Sequence, residues 1–188
     1  GILEWLGTQA AIALENARLY SDLSRYSQDL EQKVAERTLV IQEKNQQILA
    51  SIRYAKRIQN AVLPQPDLLN EICAEHFLLF LPRDLVSGDF FWLKNGKSPL
   101  IAVADCTGHG VPGAFMSLVG SSLLNQIVGQ EPDLDPASIL MQLDRLIRST
   151  LKSVEGWGQP TDGMDIALCR WHEDSRTLVF AGAKRPLY

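Results

Sequence analysis

The chain has 188 residues, of which 46% are hydrophobic and 21% charged, and its formal net charge is −4. This composition is typical of a folded protein with one sizeable domain and an extension. The negative charge argues against nucleic-acid binding as the main activity. Three widely spaced cysteines without a CxxC pair exclude a structural zinc site and suit a reducing cytoplasm.

Neither end of the sequence looks like a natural end of a protein. It begins with GILEW and stops at AGAKRPLY, directly after a strand-like run. No signal peptide is recognisable, and no apolar run approaches the roughly 18 residues needed to span a bilayer. We therefore expect a piece of a larger cytoplasmic protein, with no membrane segment in this part.

The first third of the chain is predicted to be a long helix. Residues 1–20 are rich in Ala and Leu, and from residue 21 neither Gly nor Pro occurs before Pro64. A heptad frame with Tyr20 at position a has apolar residues at nine of its thirteen a and d positions: Tyr20, Leu23, Leu30, Val34, Ile41, Ile48, Ala55, Ile58 and Val62. This spacing favours a two-stranded coiled coil over a single solvated helix that packs on its own domain.

We predict that the coiled coil forms a parallel homodimer. The a and d residues together form the seam along which two helices would meet. Arg37, Lys44 and Ser51 are polar residues at d positions, and they should weaken the middle of this seam. Such a seam suits a segment that changes register.

After Pro64 the pattern changes to a mixture of strands and helices. Strands are predicted at 76–82 (HFLLFLP), 89–93, 99–104, 164–171 and 177–181, and helices at 114–129 and 136–153. Strands on both sides of two adjacent helices indicate an α+β fold rather than a regular βαβ repeat. Because no strand follows the last one, we expect an incomplete sheet.

The stretch LIAVADCTGHGVPGAFMS, residues 100–117, places Asp105 at the end of a strand and before several glycines. Three interpretations compete here. A dinucleotide-binding loop also needs a second strand that ends in an acid about 20 residues later, where this chain has the loop GQEPDLDP. A Cys106 nucleophile needs a following Arg at a fixed spacing, and that position holds Pro112.

A metal site fits the sequence better. A second acid, Asp89, stands in LVSGDFFW, also beside a glycine and at a predicted strand. Carboxylates without His or Cys companions are the hard oxygen ligands that Mg²⁺ and Mn²⁺ prefer. Two unrelated surface acids are the alternative interpretation.

The segments PRDLVSGDFFW and VADCTGHGVPGAFMS resemble the metal-dependent protein serine/threonine phosphatases (the PPM, or protein phosphatase 2C, superfamily). They are most similar to its bacterial branch typified by sporulation protein IIE. The resemblance includes AKRIQNAVLP, DGMDIALC and LVFAGAKRPLY, and covers residues 52–188. Residues 1–20 look like the final helix of a GAF sensor domain, and LEQKVAERT at 30–38 is similar to bacterial signalling linkers.

The resemblance implies three regions: the end of a GAF domain at 1–20, a coiled-coil linker at 21–63, and the N-terminal part of a PPM-type domain at 64–188. The implied fold is a long coiled-coil helix followed by an incomplete sandwich of β-sheets flanked by helices. The implied activity is hydrolysis of phosphoserine or phosphothreonine on a partner protein, under the control of a sensor. In this branch the partner is typically an anti-sigma-factor antagonist.

The resemblance also assigns site residues. Asp89 and Asp105 match metal ligands, and Cys106 contributes its backbone carbonyl. Two Mn²⁺ or Mg²⁺ ions then activate a water for attack on the phosphoryl group.

Other residues have open roles. His109 either protonates the leaving oxygen or fixes its loop, and Arg83 either binds substrate phosphate or forms an ordinary salt bridge. Asp165 is a candidate ligand, whereas Asp162 is interpreted as a turn acid.

The chain departs from the family because two later acidic motifs are missing. We therefore expect the fragment itself to be inactive. The competing hypothesis is a non-catalytic, dimerising module that transmits a signal.

Overall fold

The structure is a computed structural model that describes residues 1–73, 75–152 and 163–187. The chain divides into two compact units, Gly1–Ala50 and Ser51–Tyr188. The predicted regions 1–20, 21–63 and 64–188 do not coincide with this division, and their assignment stays a prediction.

One helix, α1, runs without a break over Ile2–Val62. In the first unit it is the whole structure after Gly1. The seam residues are exposed in the single chain: 64% of Leu23, 62% of Leu30 and 59% of Ile41 are accessible to solvent. Packing within the chain therefore does not explain the apolar pattern of this helix.

The second unit is built around a four-stranded antiparallel sheet. Its strands are β1 (Phe90–Lys94), β2 (Leu100–Cys106), β3 (Met164–His172) and β4 (Thr177–Ala183), in the order β1-β2-β3-β4. After α1 comes a 3₁₀ turn at Pro66–Leu68, followed by the short helix α2 (Leu69–Ile72). Helices α3 (Gly110–Gln130) and α4 (Pro136–Lys152) connect β2 to β3. The α+β prediction is thus confirmed, although Ser153, the predicted last residue of the second helix, lies outside the described residues.

The strand prediction at 76–82 was wrong. These residues form no strand in the described part of the chain, and the side chain of Phe77 is 91% exposed. A strong β-propensity makes a strand only where a neighbouring strand can accept and donate its backbone hydrogen bonds. Phe80 instead contacts Phe91 edge to face, with 6.2 Å between ring centroids.

The core lies between one face of the sheet and helices α3 and α4. Alternate strand residues point into it, and Trp92 also donates a hydrogen bond from Nε1 to Asn125 Oδ1 at 3.0 Å. Its most deeply buried side chains are Phe90, Trp92, Leu100, Leu124, Ile127, Ile139, Leu143, Ile166 and Leu168. The intervening strand residues point away from the core, and Val103 among them is 59% exposed.

Helix α3 corrects one sequence-based statement. It is long and apolar enough to cross a membrane, the one such helix in the described ranges, although half of its apolar window is buried. Its buried residues belong to the core against the sheet. A core helix of a folded domain has the same composition, so its hydropathy is explained by packing.

Candidate functional site

Three acids lie in one row across the sheet. Phe90 pairs with Ala104, which puts Asp89, the next residue outward, beside Asp105. Asp105 in turn pairs with Asp165 of β3. Because directly opposed residues of an antiparallel sheet point to the same face, all three acids belong to the face that points away from α3 and α4. We call these residues the acid row.

Asp89 and Asp105 are close enough to interact through their carboxyl groups. The pKa of Asp89 is raised by burial first, then by a hydrogen bond with Asp105 and by the negative charge of Asp105, while Arg185 acts in the opposite direction. Two adjacent carboxylates repel each other when both are ionised. A cation between them is therefore electrostatically favoured.

Three glycines allow the loops that carry these two acids to touch. A Cβ at Gly113 would lie 2.5 Å from the Gly108 carbonyl oxygen and 3.0 Å from Gly88 Cα. A Cβ at Gly88 would lie 2.9 Å from the same carbonyl and 3.3 Å from that of Cys106. Gly108 also has φ of +86°, which side chains rarely adopt. The loop before Asp89 and the loop after Asp105 can therefore pack against each other only because these positions are glycines.

Gly113→Ala should destabilise the domain by about 2–3 kcal/mol, because the new methyl group meets backbone atoms that cannot rotate away. Gly129→Ala is the matched control in the same helix, where a Cβ would meet nothing within 4 Å. We expect that control to be neutral or slightly stabilising. Urea unfolding measures both variants, and equal midpoints would contradict this account of the loop packing.

Gln59, in the last turns of α1, connects that helix to the loop before Asp89. It is 4% exposed, and its Nε2 donates to the Ser87 carbonyl at 2.7 Å and to Ser117 Oγ at 2.8 Å. Its Oε1 accepts from the Ser87 N–H at 3.2 Å. Sequence reasoning missed Gln59; the available signal was an amide between Ile58 and the apolar run 61–63 at the end of the long helix.

His109 and Arg83 lie beside the two acids. Together with Asp84, Asp89 and Asp105 they line a cavity of about 170 Å³. His109 Nδ1 is 3.1 Å from Asp84 Oδ2, a contact that holds the loop at the start of α3. This hydrogen bond agrees with the loop-fixing interpretation of His109, and its role as an acid stays a prediction, as does phosphate binding by Arg83.

The Cys106 side chain is buried, with 4% of it exposed. Its pKa is raised to about 12 by burial and by the charges of Asp105 and Asp89. The thiol therefore stays protonated at physiological pH, which argues against the nucleophile interpretation.

Two cations after β4 were also missed by sequence reasoning. Arg185 donates a charge-assisted hydrogen bond to Asp105, and Lys184 Nζ lies 3.9 Å from Asp165 Oδ1. The available signal was the basic pair directly after the last strand. Asp162 lies outside the described residues.

The donor set suits a cation that retains several waters. In the described ranges, no three His, Cys, Asp or Glu side chains are grouped so as to hold a metal, and Asp165 Oδ1 lies 3.9 Å from Lys184 Nζ. Mg²⁺ is commonly bound by one or two carboxylates, with water and substrate phosphate completing the shell. Asp89 and Asp105 fit that pattern.

The chain is similar to known protein phosphatases in both fold and sequence. The chain is similar to a solved structure, "SiaA-PP2C domain of Pseudomonas aeruginosa", with 37% identity and a TM-score of 0.66, over 74% of this chain and 55% of that one. The fold is therefore that of a PP2C-type phosphatase domain, of which this chain spans little more than half.

The family model of Stage II sporulation protein E (SpoIIE) matches residues 95–188, half of the chain. The chain belongs to the SpoIIE family, as the resemblance implied. No curated protein sequence matches it.

Proposed function

We propose that the chain is part of a metal-dependent protein phosphatase that hydrolyses phosphoserine or phosphothreonine on a partner protein. The observation that carries this proposal is the pairing of Asp89 with Asp105 beside a cavity also lined by Arg83 and His109. Membership of a PP2C-type family supports the reaction class. The partner we infer is an anti-sigma-factor antagonist.

Each residue of the site has a proposed role. Asp89 and Asp105 hold Mn²⁺ or Mg²⁺, together with the backbone carbonyl of Cys106. When bound, two such ions supply an activated water and neutralise phosphoryl charge. Arg83 orients the phosphoryl group through its planar fork of N–H donors. His109, oriented by Asp84, donates a proton to the departing serine or threonine oxygen.

We further propose that α1 brings two chains together and carries a sensor signal. Pairing in parallel would cover the seam between Tyr20 and Val62, and Gln59 lies on the same helix near the end of that seam. Gln59 bonds the loop that carries Asp89. A small rotation of the seam would then alter the position of that carboxylate.

Removal of divalent metal should abolish the activity. We expect a phosphoserine peptide to be hydrolysed by the domain extended to the full length of the SiaA match, with all turnover lost in EDTA and restored by excess Mn²⁺ or Mg²⁺. Phosphate release measures the result. Full activity in EDTA would contradict the metal-dependent reaction.

A non-catalytic signalling module is the second candidate. The observation in its favour is that Lys184 and Arg185 neutralise part of the acid row. On this alternative, the extended domain dimerises but releases no phosphate at any metal concentration.

A further inference from the structure

The segment after β4 folds back over the acid row. A Cβ at Gly182 would collide with the Arg185 carbonyl oxygen, so the close return of the chain at this point requires glycine. Lys184 adopts the left-handed conformation, with φ of +56°. This sharp turn directs two consecutive cations toward the acids, Arg185 to Asp105 and Lys184 to Asp165.

Arg185 is bonded to the carboxylate of Asp105, which the proposed function assigns to the metal. Its guanidinium bonds Asp105 Oδ2, and both side chains are about half exposed, at 47% and 51%. With Asp89 and Phe91 they line a cavity of about 530 Å³, separate from the smaller cavity that Arg83 lines. The two paired carboxylates thus lie between two arginines, and only Arg185 is bonded to one of them in the described structure.

We propose that Arg185 is an internal counter-ion of the metal site that exchanges Asp105 for the phosphoryl oxygens of the substrate. The proposal rests on the metal-site assignment of the proposed function. A guanidinium on Asp105 repels a divalent ion that approaches the same carboxylate, so metal binding requires Arg185 to leave. Its flexible stem and partial exposure make that movement inexpensive.

Arg185 is chemically suited to the second partner. A guanidinium binds phosphate through two parallel N–H···O bonds, which a lysine cannot reproduce. Once released from Asp105, the side chain remains beside the same carboxylate pair. Arg185 therefore makes metal binding a precondition for phosphate binding.

The test measures two affinities that should change in opposite directions. Mn²⁺ binding to the 188-residue chain is followed by the electron paramagnetic resonance signal of free Mn²⁺, and inorganic phosphate is then titrated at saturating Mn²⁺. We expect Arg185→Gln to bind Mn²⁺ about three- to tenfold more tightly, because a competing cation is gone. The same variant should bind phosphate about tenfold more weakly.

The control removes a positive charge at the opposite end of the sheet. Lys97 forms an exposed ion pair with Asp174 at 3.6 Å, so Lys97→Gln should change neither affinity. A merely structural role of Arg185 would lower both affinities together or leave both unchanged, and either result overturns the proposal. So does unaltered phosphate binding, or no Mn²⁺ binding to Arg185→Gln at millimolar concentration.

Asp105→Asn separates failure of this proposal from failure of the proposed function. If Mn²⁺ binding survives in Asp105→Asn, the metal-site assignment is wrong. If Asp105→Asn abolishes binding while Arg185→Gln leaves it unchanged, the site stands and only the role of Arg185 is overturned.

Discussion

Asp105→Asn should lower phosphatase turnover by at least about a hundredfold in the extended domain, because a metal ligand is lost. Mutating residues that only hydrogen-bond to a metal ligand already lowers metal affinity or activity by about 10–100-fold. The substitution keeps the side-chain volume and removes the charge that Asp105 contributes beside Asp89. It also removes the charge partner of Arg185. Phosphate release from a phosphoserine peptide under saturating Mn²⁺ measures the effect.

The matched control for this prediction is Asp174→Asn. Asp174 is also paired with a basic residue, Lys97, but it lies at the opposite end of the sheet and its side chain is 86% exposed. Turnover of this variant should equal that of the unmodified domain. Undiminished turnover in Asp105→Asn would contradict the assignment of Asp105 as a metal ligand.

Ile41→Asp combined with Ile48→Asp should convert a homodimer into a monomer. Both side chains occupy a positions and are exposed in the single chain, at 59% and 55%. Each aliphatic side chain buried on pairing contributes about 1.5–3 kcal/mol at most, and the double variant replaces two of them with charges that repel their counterparts. Light scattering at tens of micromolar protein measures the mass.

Leu39→Asp combined with Gln46→Asp serves as the control for the dimer. These residues occupy the f positions of two consecutive heptads, those that begin at Val34 and Ile41, and f positions face away from the partner in a coiled coil. We expect this variant to remain dimeric. A monomeric unmodified chain would refute the predicted pairing, and an antiparallel dimer would refute the signalling route.

The fold was predictable where local pattern and tertiary structure agree. The sequence predicted the long helix and four of the five strands, because periodicity and turn residues are local signals. The prediction at 76–82 failed because this continuous apolar run has no pairing partner in the described structure. A strand depends on a neighbour that no local pattern reports.

The site was predictable only in part, for a similar reason. Asp89 and Asp105 were found because each stands at a strand boundary with a glycine nearby, directly before Asp89 and three positions after Asp105. Gln59 reaches Ser87 across 28 positions, and Arg185 reaches Asp105 across 80. Such contacts depend on strand register and on the turn after β4, neither of which the sequence pattern alone defines.

The central claim is that Asp89 and Asp105 jointly hold a divalent metal ion. Crystals of the extended domain grown with MnCl₂, measured near the manganese absorption edge, test it directly through anomalous scattering. We expect an anomalous peak at about 2.0–2.2 Å from carboxylate oxygens of both residues, near the distances that small divalent cations adopt with oxygen ligands. A manganese peak elsewhere in the domain, with none between Asp89 and Asp105, would contradict the claim.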